Sequence, residues 1–350
     1  MKYYLKDSFL SNEYEKNAGN KARNDVEAIL VSEGYKGLEL KVENWYKMNF
    51  FKAQQHKYRA LKSVFDQLGA GDELLIQFPI IHHTFFISQL IKQAQNRGVK
   101  FYLVIHDIET LRHVGNSAVK LRHKVRNYFQ EKAALTSVDG IIVHNDIMKN
   151  ALTIQGIPSD KMVSLEIFDY LIPNFEEKSV PQKEEAIIIA GNLIPTKSGY
   201  LYNLPEQPAY NLYGMGYDES RALKNTTYFG SFMPDDLPNA LQGSFGLVWD
   251  GDSSETCQGS FGNYLRINNS HKASLYLASG FPLVVWKESA LAHFVLDKQC
   301  GIAVDSLHDL QKALDDLTDQ DYMELSANAR QVGAAIRSGE YLKSAISKLK

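Results

Sequence analysis

The stretch NNSHKASLYLASGFPLVVW, residues 268–286, sets His271 and Lys272 directly before a run that is otherwise almost wholly apolar. The spacing predicts a helix over 270–279 and a buried strand over 282–286, so both basic side chains fall in the helix's first turn. A helix start already presents unpaired N–H groups and the positive end of its dipole, and a lysine added there makes a phosphate site that needs no metal ion. The plainer alternative is that Asn269 or Ser270 caps the helix while Lys272 faces water. Two more strand ends are rich in polar and turn residues. AIIIAGN (186–192) leads to Lys197 and Ser198, and FGLVWDG (245–251) leads into a Gly/Ser/Asp loop that ends on Tyr264. Three such loops ending at one sheet edge favour the anion site over the simple cap. The tripeptide Asp250-Gly251-Asp252 has the carboxylates to hold Mg²⁺ or Mn²⁺ against a diphosphate. Lys272 and the helix terminus already neutralise that anion, and aspartates directly after a buried strand are common turn residues, so no metal is expected.

In the first half, LVIHDIETLR puts His106 and Asp107 at a strand end with Arg112 beyond, and QFPIIHH puts His82 and His83 at another. A carboxylate or imidazole at a cleft can serve as general base, and Asp107 is the first candidate. Against this stands the reading in which Asp107 caps the next turn and the histidines are packing residues. NAGNKARND, near the N-terminus, sets small residues and amides ahead of a helix; such a loop lets a sugar or phosphate approach backbone closely, or is only a turn. A GxGxxG fingerprint and a GxxxxGK[ST] loop are both absent, which counts against NAD enzymes and P-loop kinases.

Positioning these residues requires two sheets. Short β-branched runs alternate with segments of helical period, the signature of parallel sheets. Strands are expected at 35–42, 72–79, 100–107 and 138–145, with helices at 20–33, 52–69, 84–97, 117–134 and 146–155. The polar, proline-bearing stretch 173–185 reads as a linker. A second series follows, with strands at 186–192, 209–216, 245–251 and 282–286 and helices at 235–242, 270–279, 289–298, 306–317, 321–336 and 339–349. The expected fold class is α/β, two Rossmann-like, doubly wound domains facing across a cleft.

Composition agrees. A chain of 350 residues is long enough for two cores, and 44% hydrophobic with 23% charged residues is ordinary globular usage. Net charge is −3, from 38 Lys+Arg and 41 Asp+Glu, so no global field attracts nucleic acid. Cys257 and Cys300 form no CxxC or His-flanked cluster, which disfavours a disulfide framework or structural zinc. The N-terminus lacks the apolar core of a signal peptide, and no run reaches 18 apolar residues, so a cytoplasmic protein is expected. The basic, aromatic-bearing stretch KLRHKVRNYFQEK (120–132) offers a peripheral contact with anionic lipid at the inner face of the membrane, or is a solvated helix face.

The strings GNLIPTKSGYLYNLP, NLYGMGYD, SFGLVWDGDSSETCQGSFGNYLRINNSHKASLYLASGFPLVVW and RSGEY resemble the bacterial glucosyltransferase-3-like and β-1,6-galactofuranosyltransferase group. The likeness is dense over 186–342 and continues through NAGNKARNDV and YLVIHDIETLR. It implies a GT-B fold. The N-terminal domain, 1–175, would receive a glycan or glycoprotein acceptor, the domain at 184–330 would hold a UDP-sugar, and a helix within 331–350 would cross back. In similar enzymes a basic residue, a tyrosine and the lysine of the H-K motif hold the nucleotide without a metal; these correspond to Lys197, Tyr228 and Lys272. Lys197 stands where family members often carry arginine, and Ser270 where many carry proline. The nucleotide set expected here is Lys197, Tyr228, Tyr264, Asn269, His271, Lys272 and Ser274. Ala18, Gly19 and Asn20, with His106, would border sugar or acceptor. Relatives can be tetramers, which implies a homo-oligomer. The implied reaction is hexosyl transfer from a UDP-sugar to a sugar hydroxyl, with Lys272 stabilising the leaving diphosphate and Asp107 the base if the anomeric centre inverts. Galactofuranose transfer in surface polysaccharide assembly fits the KSGYLYNLP string best; glucosylation of N-acetylglucosamine on a serine-rich adhesin, and a non-catalytic nucleotide-sugar-binding subunit, stand as alternatives.

Overall fold

Strands made of continuous apolar runs can leave neither face in water, so they pair side by side beneath helices. The computed structural model describes residues 1–6, 18–41, 48–80, 85–112 and 121–349, and among these the strands form two sheets of six, all pairings parallel. The first half runs β1 (Lys2–Lys6), α1 (Ala18–Ser32), β2 (Lys36–Glu39), α2 (Phe50–Phe65), β3 (Glu73–Phe78), α3 (Ile87–Gln95), β4 (Lys100–Ile105), α4 (Glu109–Arg112), α5 (Leu121–Ser137), β5 (Gly140–Val143), α6 (Asp146–Ile154) and β6 (Met162–Ser164). The second runs β7 (Ile187–Asn192), α7 (Pro195–Ser198), β8 (Tyr210–Met215), β9 (Thr226–Tyr228), α8 (Leu237–Ala240), β10 (Gly246–Val248), α9 (Gly259–Tyr264), α10 (His271–Ala278), β11 (Leu283–Trp286), α11 (Ala290–Asp297), β12 (Gly301–Val304), α12 (Leu310–Asp315), α13 (Asp319–Ser338) and α14 (Glu340–Ser347). His82 and His83 lie outside the described residues.

The sheet orders are β2-β1-β3-β4-β5-β6 and β12-β11-β10-β7-β8-β9. Successive residues of the first sheet alternate between two cores, as the period of two requires. Leu74, Ile76, Phe101, Leu103 and Ile141 enter one; Leu75, Tyr102, Val104 and Ile142 enter the other. Strands β1, β6, β9 and β12 were not expected from the sequence. They are three to five residues long, and KYYLK in β1 is flanked by lysines, so none carries an apolar run long enough to stand out. The helix expected over 306–317 is a 3₁₀ turn, Leu307–Asp309, running into α12. No helix among the described residues is long and apolar enough to cross a membrane.

Helix α10 is wedged tightly. A Cβ on Gly246 of β10 would fall 2.1 Å from Cγ of Tyr276, and one on Gly333 of α13 would fall 2.0 Å from the carbonyl oxygen of Leu277. Two backbones therefore approach α10 where only glycine fits. The stretch 173–185 forms no strand and only loose coil, yet it is pinned: Lys178 Nζ donates to the carbonyls of Pro238, Asn239 and Leu241 at 2.7–3.1 Å, and the Arg337 guanidinium sits 3.6 Å over the Phe175 ring.

The chain passes between the halves twice at one edge. In residues 165–172, Leu165 and Phe168 enter the first half's core while Ile167, Tyr170 and Ile172 enter the second's. Residues 331–338 stay in α13 on the second half, and Ile336 belongs to its core. Gly339, at φ 77°, turns the chain, and Leu342 and Ala345 of α14 join Val26, Ile29 and Leu30 of α1. Asp169 ties the crossings together, its carboxylate accepting the N–H groups of Leu342 at 2.8 Å and Tyr341 at 3.3 Å.

Gly333→Ala should push α13 from α10 and cost about 1–3 kcal/mol in urea unfolding. Burial pushes Asp169 up from 3.8 to about 7 despite those two N–H bonds. A carboxylate raised in the folded state contributes stability that is complete below its unfolded pKa and lost as pH rises through the folded one. Asp169→Asn, which does not ionise, should therefore flatten the fall in Tm between about pH 4 and pH 8 relative to the unsubstituted protein.

Candidate active site

Ligands in doubly wound sheets bind beyond the carboxyl ends of the strands where the order reverses. In the second sheet that point lies between β7 and β10. After β7, Ser198 Oγ donates to the Asn192 carbonyl at 2.9 Å and closes the chain into the single turn α7, which carries Lys197. The N–H of Gly251 donates to the Lys197 carbonyl at 2.9 Å, and the N–H of Tyr200 to the Gly251 carbonyl at 3.2 Å. The loop after β10 is thereby stitched to the loop after β7, which brings Asp250 into the electrostatic reach of Lys197.

Lys272 comes from the third element. Its side chain turns inward, 11% exposed, and its Nζ donates to Asp250 Oδ1 at 2.9 Å and to the Trp249 carbonyl at 3.0 Å. Asp250 is 8% exposed and spent on this contact, while Asp252 faces solvent beside Gly199, so the two carboxylates do not share one site. Neither Asn269 nor Ser270 caps α10: Ser270 holds the N-cap position without a side-chain hydrogen bond. The Ala273 N–H turns back to the Ser270 carbonyl at 3.0 Å, which leaves the N–H groups of His271 and Lys272 for an anion. The Lys197 ammonium makes no ion pair or hydrogen bond among the described residues, and its Nζ stands 5.5 Å over the Phe261 ring. Asp250 pulls its pKa up, but burial and the positive charges of Lys272 and Arg112 outweigh this and leave it below the ordinary lysine value. The result is a group of crowded cations at the switch point.

Several residues expected at the nucleotide serve elsewhere. His271 is not a second cation: burial, then Lys21, lowers its pKa to about 4, and its ring packs 5.2 Å from Tyr170 and 5.9 Å from Phe168. Tyr264 is 4% exposed, with its ring in the first half's core and its hydroxyl accepting the Ile108 N–H at 3.1 Å. Asn269 is a clasp between the halves. Its side-chain oxygen accepts from Asn145 Nδ2 at 2.7 Å, its amide donates to the carbonyls of His144 and Glu166, and its own N–H donates to His144 Nδ1 at 3.1 Å. Glu166 holds a left-handed φ of 70°, a strained conformation for a non-glycine residue, which this contact helps to fix. Ser274 is fully buried with its hydroxyl unpartnered among the described residues. Tyr228 lies at the end of edge strand β9, two strands from β7, with its hydroxyl on the Gly214 carbonyl at 2.7 Å.

The first half supplies the opposite wall. His106 follows β4; its Nε2 is 2.7 Å from Gln77 Oε1 and its ring stacks 5.4 Å from Phe168. Burial chiefly, then the charge of Arg23, holds it well below the ordinary histidine value, so it is neutral near pH 7. Asp107, 19% exposed, accepts from Ile108 N–H at 3.1 Å and forms an ion pair with Arg112. Ala18, Gly19 and Asn20 are the first turn of α1 rather than a loop. The next residue, Lys21, bridges the halves, 2.8 Å from Asp25 and 2.7 Å from Asp235. Sequence reasoning missed this bridge and also Phe168, around which His106, His144 and His271 gather. The dipeptides His106-Asp107 and His271-Lys272 thus meet across the seam, imidazoles against Phe168.

Residues 3–167 match the N-terminal domain of the glucosyltransferase 3-like family, and residues 187–349 match its C-terminal domain. The β-1,6-galactofuranosyltransferase WbbI of Escherichia coli K12 is 34% identical over 284 residues, 79% of each chain. Glucosyltransferase 3 of Streptococcus gordonii is 23% identical over 92% of this chain and 91% of its own. Among solved structures, sucrose-phosphate synthase of Thermosynechococcus elongatus superposes with a TM-score of 0.63 at 12% identity, covering 98% of this chain and 96% of that one. Anabaena HepE in complex with UDP-glucose does so at 0.56 and 11% identity, over 99% of both. With both halves matched, the chain belongs to the glucosyltransferase 3-like family and is a glycosyltransferase of the GT-B fold.

Proposed function

We propose that the protein moves a hexosyl group from a UDP-sugar to a sugar hydroxyl during assembly of a bacterial surface glycan, and that the sugar is galactofuranose joined by a β-1,6 linkage. The observation that carries the donor reading is the enclosed pair Lys197 and Lys272 beside the uncapped start of α10 at the sheet's switch point. The 34% identity to a galactofuranosyltransferase supports that sugar. The glucosyl alternative rests on the glucosyltransferase 3 relatives, which span more of the chain at lower identity.

In this reading the half up to about residue 175 receives the acceptor and the half from 184 holds the donor. As the bond from the anomeric carbon to the leaving oxygen breaks, negative charge grows on the β-phosphate. Fixed ammonium groups and helix N–H donors in a site shielded from water stabilise that charge more than the ground state, which lowers the barrier. An inverting reaction also needs a base to take the acceptor hydroxyl's proton, and Asp107 is the carboxylate at the facing strand end.

Lys197→Ala is the clean test of the phosphate site. Removing Lys272 would strand Asp250 as a buried, unpaired charge, at a cost of about 3–5 kcal/mol, whereas Lys197 has no such partner. UDP affinity by calorimetry should fall about tenfold to hundredfold, with the Tm of the free protein unchanged or raised by relief of cation crowding. Unchanged affinity would sink the donor reading. Asp107→Asn should lower turnover by about 10²–10⁴-fold, read as UDP release with acceptor present. Among UDP, UDP-glucose, UDP-galactose and UDP-galactofuranose, the true donor should raise Tm most at equal concentration.

A further inference from the structure

Arg112 is the one member of the cation group that comes from the first half. Its guanidinium pairs with Asp107 through one terminal nitrogen and lies 3.5 Å from Glu109 through the other. Its Nε is buried and has no partner among the described residues, so that N–H of the fork is left without an acceptor. The group stands 5.6 Å from the ring of Tyr264, a second-half residue whose side chain enters the first half's core. The N–H of Ile108 on the Tyr264 hydroxyl, at 3.1 Å, docks the start of α4 on α9, and Phe261 of α9 lies 5.5 Å under Lys197 Nζ, which sets Arg112 toward the second-half cations; its charge joins that of Lys272 in lowering the pKa of Lys197. Asp250 pairs with Lys272 and lies within the electrostatic reach of Lys197 and Arg112, while Asp107 neutralises Arg112. A guanidinium has five N–H donors, and one whose Nε–H is unspent can take a second oxyanion beside the first.

We infer that Arg112 is a third phosphate-binding residue, contributed by the acceptor half, and that the donor's diphosphate draws it off Asp107. The inference rests on the proposed donor reading and deepens it. Before the donor binds, Asp107 is occupied by Arg112. Afterwards the guanidinium turns its fork to the phosphate oxygens and Asp107 regains the lone pair needed to accept the acceptor's proton. Base release is thereby tied to donor occupancy, which disfavours proton abstraction in an enzyme that holds no sugar to transfer.

The test uses the full chain and calorimetric titration with UDP and with uridine. Arg112→Gln should weaken UDP by about tenfold to hundredfold, the value of a charge-assisted hydrogen bond, and leave uridine unchanged. Asp107→Asn should tighten UDP severalfold, because the competing carboxylate is gone, and the gain should vanish in the double variant Arg112→Gln/Asp107→Asn. An ion pair that serves only to hold α4 in place predicts no tightening. Should Arg112→Gln fail to fold, Arg112→Lys keeps the charge but not the fork and should show a smaller loss of the same kind. UDP affinity indifferent to Arg112, or unimproved in Asp107→Asn, overturns the inference. If Lys197→Ala is equally indifferent, it is the donor reading itself that has failed.

Discussion

The ion pair of Lys272 with Asp250 is the contact on which the site depends. Both partners are nearly buried, and removing water from two charges is repaid only if each finds its complement in place. That complement is assembled from three separate loops: Asp250 is held by backbone bonds to the loop bearing Lys197, and Lys272 is held by a helix locked between β10 and α13. Lys197 then remains an enclosed positive charge without an acid of its own. Taken together, these residues hold an anion-shaped deficit of negative charge, maintained by close packing of glycine against backbone.

The seam between the halves is made of hydrogen bonds to groups that burial has neutralised or fully engaged. Asn269 divides its donors and acceptor among His144, Asn145 and Glu166, and Tyr264 plants its ring in the opposite core. Asn269 stands three residues before Lys272 and Tyr264 eight. Any rotation of one half against the other therefore acts directly on the segment that introduces α10, so the site's geometry and the relative setting of the halves are one variable.

Much of this was legible in the residues. Continuous apolar runs gave the buried parallel strands, and the basic residue before an apolar run gave a lysine in the first turn of a helix, because both signals are local. The misreadings share one cause, which is that local sequence does not reveal what lies across the seam. His271 reads as a cation, yet Tyr170, Phe168 and Asp169 surround it and burial leaves it neutral. Asn269 reads as a helix cap or ligand contact, yet its partners are more than a hundred residues away. Asp250 reads as a turn or metal ligand because nothing nearby announces that Lys272 will reach it. The short strands β6, β9 and β12 escaped notice for the complementary reason: three or four residues hold too little pattern to distinguish an edge strand from a loop.

Helix α14 has a consequence for how the chain can be divided. It follows the second sheet in sequence, yet it roofs the first one, alongside α1 and over the face that carries Leu75, Tyr102 and Ile142. A fragment ending after β6 would leave that apolar surface in water. The first sheet thus completes its cover only with residues that follow the second sheet in the chain: synthesis must pass Ala345 before that sheet can finish drying its own interior.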